Sequence, residues 1–173
     1  MDLKSKIREI PDWPIKGVNF KDISTIIEDK DAFKFVIDEL VKPYLGLKID
    51  KIIGIDARGF LFCSAMAYLL NTGCVMIRKK GKLPWKTIKK DYALEYGTNT
   101  IEMHEDSIKP GENVIIVDDL LATGGTMAAT VDLVKKLGGE IIGISFIVEL
   151  DFLKGREKLK DECVNVLIHY DKE

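Results

Sequence analysis

Apolar positions along the chain recur at two different spacings, and the spacing changes from segment to segment. Phe33, Val36, Ile37, Leu40, Val41 and Tyr44 step by three and four, which predicts a helix with one apolar stripe, ending at about Pro43. Lys51–Asp56 is instead a short apolar run, the pattern of a strand buried in a parallel sheet. Phe60 to Leu70 returns to helical spacing and is closed by Asn71 and Gly73, and Cys74–Arg78 predicts another strand. Residues 79–91 are basic and polar with little apolar spacing, so they are expected to form a mobile loop. Tyr92–Tyr96 and Thr100–His104 predict a β-ribbon turning through Gly97-Thr98-Asn99. Before all of these, the chain to about Ile27 reads as a short helix, with Ile7 and Ile10 on one side, and then an irregular stretch punctuated by Pro11, Trp13, Pro14 and Gly17.

The clearest unit follows. Val114–Val117 predicts a buried strand, Asp118–Thr126 a loop of small residues, and Met127, Val131, Val134 and Leu137 an amphipathic helix closed by Gly138-Gly139. Ile141–Val148 is the next strand, which completes a βαβ crossover. Crossovers of this kind build α/β folds with a central, mostly parallel sheet flanked by helices. A chain of 173 residues fits one such domain, 1–173, with an ordinary core. Ligands of open parallel sheets bind at the carboxyl ends of strands, where Asp56, Asp118 and Asp119 stand.

Charge narrows the partners. Lys and Arg number 26 against 28 Asp and Glu, so no global basic field draws the chain to nucleic acid or an anionic membrane. The N-terminal residues lack the apolar stretch of a signal peptide, and no apolar run approaches the roughly 20 residues of a membrane span. A cytoplasmic, reduced protein is the expectation. Cys63 and Cys74 sit among apolar neighbours and read as small core residues, while two isolated histidines do not suggest a metal cluster.

An anion site must therefore be local, and Asp118-Asp119-Leu120-Leu121-Ala122-Thr123-Gly124-Gly125-Thr126 has the parts for one. It leads into a helix N-terminus, which carries partial positive charge and free N–H groups. Gly124 and Gly125 let the backbone approach an anion, and Thr123 and Thr126 add hydroxyl donors. Two carboxylates cannot bind phosphate but suit sugar hydroxyls or Mg²⁺. A plain strand-to-helix turn explains one Asp and one Gly, not two of each beside two threonines. No GxxxxGK[ST] is present, which excludes a P-loop.

Val114–Thr126 resembles the phosphoribosyl pyrophosphate (PRPP) signature of the type I phosphoribosyltransferases, and Asp118–Thr126 is similar to the adenine-specific branch. The resemblance continues through Gly17–Ile23, Asp56–Phe60, Arg78–Pro84, Leu94–Gly97 and Leu153–Leu159, nearly the whole chain in order. It implies the type I fold with a small N-terminal hood, residues 1–27, and a flexible β-ribbon arm, residues 79–104. The implied activity is transfer of the phosphoribosyl group of PRPP to N9 of adenine, a purine-salvage reaction giving AMP and pyrophosphate, with Mg²⁺ held mainly through PRPP, in a homodimer. By the same resemblance, Asp118, Asp119 and Ala122–Thr126 bind PRPP and AMP. Asp56, Ala57, Arg58 and Lys82 meet pyrophosphate, in a loop that often carries a non-proline cis peptide, and Arg58 and Lys82 assist the chemistry. Glu95 is the acid–base group, and Val18, Asn19, Phe20 and Lys21 line the adenine pocket. Position 19 is usually apolar in this branch and position 21 usually Arg, so Asn19 and Lys21 are departures. Two other readings stay open: a phosphoribosyltransferase for a different purine, and a regulator that senses PRPP without catalysis.

Overall fold

Seven strands form one sheet in the order β5-β6-β4-β3-β7-β8-β9 in the computed structural model, which describes residues 1–93 and 97–172. Five of them are parallel: β4 (Gly73–Lys79), β3 (Lys51–Ile55), β7 (Asn113–Leu121), β8 (Glu140–Leu150) and β9 (Val164–Tyr170). The ribbon β5 (Thr87–Ala93) and β6 (Thr98–His104) extends the sheet antiparallel beyond β4. Helices α2 (Lys30–Val41) and α3 (Gly59–Leu70) cover one face, with Val36, Ile37, Phe62 and Met66 packed on Ile52, Ile115 and Val117. Helix α4 (Gly125–Lys136) covers the other face, with Met127, Val131 and Val134 against Ile53, Ile116 and Phe146. The strands alternate between these two cores, so they read as continuous apolar runs. The α/β fold with a mostly parallel sheet is as expected.

Several expectations are corrected. The N-terminal segment forms no α-helix over Ile7 and Ile10; a 3₁₀ turn at Lys4–Lys6 leads into β1 (Arg8–Ile10), which pairs antiparallel with β2 (Phe20–Asp22). Pairing across the intervening loop gives these residues hydrogen-bond partners that no three-residue run can signal. A short helix, α1 (Ser24–Glu28), follows with Ile26 in the core. Residues 79–91 are not all loop: Thr87 opposes His104, and the register continues to Ala93 opposite Thr98. Strand β7 also runs beyond Val117 through both aspartates, because Leu120 and Leu121 continue the pairing with Val148 and Glu149. Cys63 is buried as expected, but Cys74 is exposed, with the two Sγ atoms 2.7 Å apart across α3 and β4.

Candidate active site

Strands β3 and β7 lie side by side at the middle of the sheet, yet their chains leave in opposite directions. From β3 the chain climbs through α3 to β4 on one side; from β7 it climbs through α4 to β8 on the other. The crevice between their carboxyl ends is where a parallel sheet binds ligands. Asp56 follows β3, and Asp118 and Asp119 lie in β7; Asp56 and Asp118 line the same cavity there.

Ala122, Thr123, Gly124, Gly125 and Thr126 line a cavity of about 90 Å³ together with Asp118, at the N-terminus of α4. Gly124 has φ +74°, and no side chain caps the helix, so its first N–H groups are open to a ligand. Asp118 Oδ1 accepts a bond from the Asp119 backbone N–H at 2.9 Å. The protein crowded around Asp118, and then the Asp119 carboxylate beside it, push its carboxyl well above the usual carboxylate range.

A second cavity, about 200 Å³, is lined by Asp56, Arg78, Lys79, Tyr92, Asn99, Asp118 and Thr126 among others, so it joins the two loops. The Asp56-Ala57 peptide is cis, as the resemblance implied. Arg78 was not among the candidate site residues, yet it bridges two of them. Its Nε donates to Asp56 Oδ2 at 3.2 Å and its Nη1 to the Lys82 carbonyl at 3.1 Å. Glu102, only 1% exposed, fixes the same loop from below. Its Oε1 accepts the backbone N–H groups of Gly81, Lys82 and Leu83 at 2.9–3.1 Å. Burial works to raise the Glu102 carboxyl, but these N–H donors, with Lys89 at 3.6 Å, hold it below its ordinary value. Lys82 itself is exposed at the tip of this clamped turn.

Arg58 turns toward the hood rather than toward the Lys82 loop. Its Nε donates to Asp119 Oδ2 at 2.5 Å, and its guanidinium lies 5.6 Å from the centre of the Phe20 ring. Trp13 also packs edge-on against Phe20, with ring centres 4.4 Å apart. The departures at positions 19 and 21 do not share the face of Phe20. Asn19 Nδ2 donates to Glu9 Oε2 at 2.8 Å, and Lys21 Nζ pairs with Glu9 Oε1 at 3.0 Å and lies over the Tyr170 ring. Side chains of a strand alternate between faces, so Phe20 and Lys21 point to opposite sides of β2, and the Asn19 Oδ1 is buried without a partner among the described residues.

From the ribbon, Tyr92 and Asn99 oppose one another and both reach the second cavity. The Tyr92 ring also lies against Gly125, where an added Cβ would come within 3.2 Å of Cδ2. Lys90 ties the ribbon to α4 through Asp132 at 2.7 Å. Glu95 lies outside the described residues. One cluster with metal-binding composition, Glu149, Asp151 and His169, lines neither cavity, and its Glu149 already holds Arg156.

A family model described as the phosphoribosyl transferase domain matches residues 24–171. Adenine phosphoribosyltransferase of Brachyspira hyodysenteriae is 55% identical over 170 residues, spanning 98% of this chain and all of that one. The solved structure of adenine phosphoribosyltransferase from Thermoanaerobacter pseudethanolicus is 48% identical with a TM-score of 0.94, covering 98% of each chain. That from Saccharomyces cerevisiae, complexed with an imino-altritol bisphosphate and adenine, is 40% identical with a TM-score of 0.91 over 96% of each chain.

Proposed function

The chain belongs to the adenine phosphoribosyltransferase family, and from that premise we propose that it transfers the phosphoribosyl group of PRPP to N9 of adenine, giving AMP and pyrophosphate. The observation that carries this reading is Arg58, whose one side chain touches both Phe20 of the hood and Asp119 of the phosphate strand. A face that can stack a purine and a carboxylate that can hold a ribose thus meet at one guanidinium.

The 5′-phosphate of PRPP sits in the Ala122–Thr126 cavity, on the open N–H groups of α4 and the two threonine hydroxyls. Asp118 and Asp119 accept the ribose hydroxyls. The pyrophosphate lies in the second cavity, over Asp56-Ala57, with Arg58 swung across from Asp119 and Lys82 reaching in from its clamped turn. Adenine stacks on Phe20. The ribbon, with Tyr92 against Gly125, excludes water from a leaving group that water would otherwise displace. Glu95 manages the purine proton as N9 bonds to C1′ and the C1′–O bond to pyrophosphate breaks.

Mg²⁺ fits this site as a passenger of PRPP. Asp56 is paired with Arg78 and Asp119 with Arg58, so these two carboxylates are already engaged by the protein's own guanidinium groups. The ion would neutralise pyrophosphate charge. The protein works as a homodimer in the cytoplasm on this reading. Leu61, Tyr68 and Leu69 form an exposed apolar stripe on α3, beside exposed Met76 on β4, and Tyr68 is 85% exposed. No described helix is long and apolar enough to cross a membrane.

The test is to incubate the protein with PRPP, Mg²⁺ and each purine separately and follow nucleotide formation. AMP from adenine is expected, with hypoxanthine slower by about 10⁴ or more, because a pocket that reads the exocyclic amino group leaves its own groups unpaired on a 6-oxo purine. Comparable turnover of hypoxanthine overturns the base assignment.

A further inference from the structure

The Leu153–Leu159 segment takes no part in the reaction described above, yet it touches the phosphate loop backbone to backbone. A Cβ on Gly155 would stand 2.1 Å from the Ala122 carbonyl oxygen and 2.9 Å from the Gly124 nitrogen; a Cβ on Gly124 would stand 2.4 Å from the Gly155 oxygen. Only glycine permits so close an approach from either side. Lys154, with φ +53°, turns the chain sharply out of the preceding 3₁₀ helix, and Leu159, 2% exposed, anchors the far end of the segment in the α4 core.

What holds the near end is a two-pronged ion pair. Arg156 Nε lies 3.1 Å from both oxygens of Glu149, and Nη2 donates to Oε2 at 2.5 Å. The remaining prong, Nη1, donates to the Val164 carbonyl at 3.2 Å. The Glu149 side chain is 5% exposed, and Glu149 is the β8 partner of Leu121, the residue at which β7 ends and the phosphate loop begins. One end of the clamp therefore shares a strand pair with the start of the loop, and the other end adjoins Gly155. Guanidinium fixes direction as well as distance, which a point charge does not.

We infer that Glu149 and Arg156 are positioning residues for PRPP: their pair presses Gly155 onto Ala122–Gly124 and so sets the loop for the 5′-phosphate. The inference rests on the reading of that loop as the phosphate site. It follows that damage to the clamp raises the KM for PRPP and the Kd for ribose 5-phosphate while leaving the KM for adenine nearly unchanged.

The experiment compares wild type, Arg156→Met, Arg156→Lys and Gly155→Ala, using ribose 5-phosphate in calorimetry and both substrates in steady-state kinetics. Arg156→Met should weaken ribose 5-phosphate roughly tenfold or more, since a charge-assisted fork is lost. Arg156→Lys should recover part of that loss, and Gly155→Ala should reproduce the PRPP-selective defect without touching the ion pair. Circular dichroism and Tm identify a variant that has lost its fold, and Gly155→Ala then decides. Ribose 5-phosphate affinity within twofold of wild type in folded Arg156→Met overturns the inference. Wild-type protein that binds no ribose 5-phosphate overturns the phosphate-site reading itself, a different outcome.

Discussion

Arg58, Glu95 and Glu102 stand in three different relations to the reaction, and single substitutions separate them. Glu95→Gln keeps size and much of the hydrogen bonding but cannot take a proton. Turnover should fall by roughly 10²–10⁴, the usual worth of general acid–base help, with the KM for PRPP nearly unchanged. A near-normal kcat would remove Glu95 from the mechanism. Glu102 is never near the substrate, but Glu102→Ala strands three backbone N–H groups and releases the Lys82 turn. A cost on the order of 1 kcal/mol is expected from loss of these charge-assisted bonds at a solvent-accessible turn, measured by denaturant unfolding. Its carboxyl sits lower in the folded chain than in the unfolded one, so its contribution is complete above the unfolded value near pH 4.5 and is lost as pH falls through the folded one. The stability gap between wild type and Glu102→Ala should therefore narrow in acid. A gap that widens in acid would show that Glu102 is held protonated.

At the scale of elements, α2 shows how a cap converts sequence into stability. Asp29 accepts the N–H groups of Asp31 and Ala32 and pairs with Lys6 at 2.7 Å, and the Lys6 contact leads the effects that lower its pKa to about 2. Asp29→Ala should lower Tm at neutral pH, and the difference should shrink below about pH 3.8 and be lost as pH falls through about 2, because a depressed carboxyl stabilises only while ionised. An unchanged Tm at pH 7 would show the cap to be idle. Helices α2, α3 and α4 and strands β3, β7 and β8 were legible because each buries a face long enough to impose a period. Strand β9 was not, although Val164, Val166 and Ile168 alternate, because it is an edge strand that stays half-buried along most of its length. Strand β5 was masked by its lysines: Lys89 and Lys90 belong to ion pairs with Glu102 and Asp132, residues remote in sequence. The anion-binding pattern of Asp118–Thr126 could be proposed from sequence because its parts are contiguous, whereas Phe20 came only from the resemblance. Arg78, Glu102, Glu149 and Arg156 were not legible, since each acts through a partner that only the fold brings near.

For the whole molecule, the exposed apolar stripe of α3 predicts assembly. Tyr68→Glu, at a side chain that is 85% exposed, should cost the isolated subunit little stability but shift the protein from dimer to monomer in light scattering. A wild-type monomer at micromolar concentration would remove the dimer from the proposal. The sheet order explains why one small chain can bring three loops together. Placing β3 beside β7 turns two independent strand-to-helix turns into opposite walls of one crevice, and the antiparallel ribbon then returns across both.

Arg58 has a thermodynamic consequence. Its side chain holds Asp119 and lies over the Phe20 ring at once, so on the proposed assignment of these residues to ribose and purine either ligand must dislodge the same side chain. A sugar phosphate that takes Asp119 uncovers the purine face, and a purine that takes Phe20 frees the carboxylate. The two subsites are then linked, and linkage is reciprocal: ribose 5-phosphate must raise adenine affinity by the same factor by which adenine raises that of ribose 5-phosphate. A factor of roughly 5–150 is typical of such heterotropic cooperativity. Calorimetry of each ligand with and without the other should give equal factors for wild type and a factor near one for Arg58→Ala. If the cooperativity survives that substitution, it has its origin elsewhere in the chain.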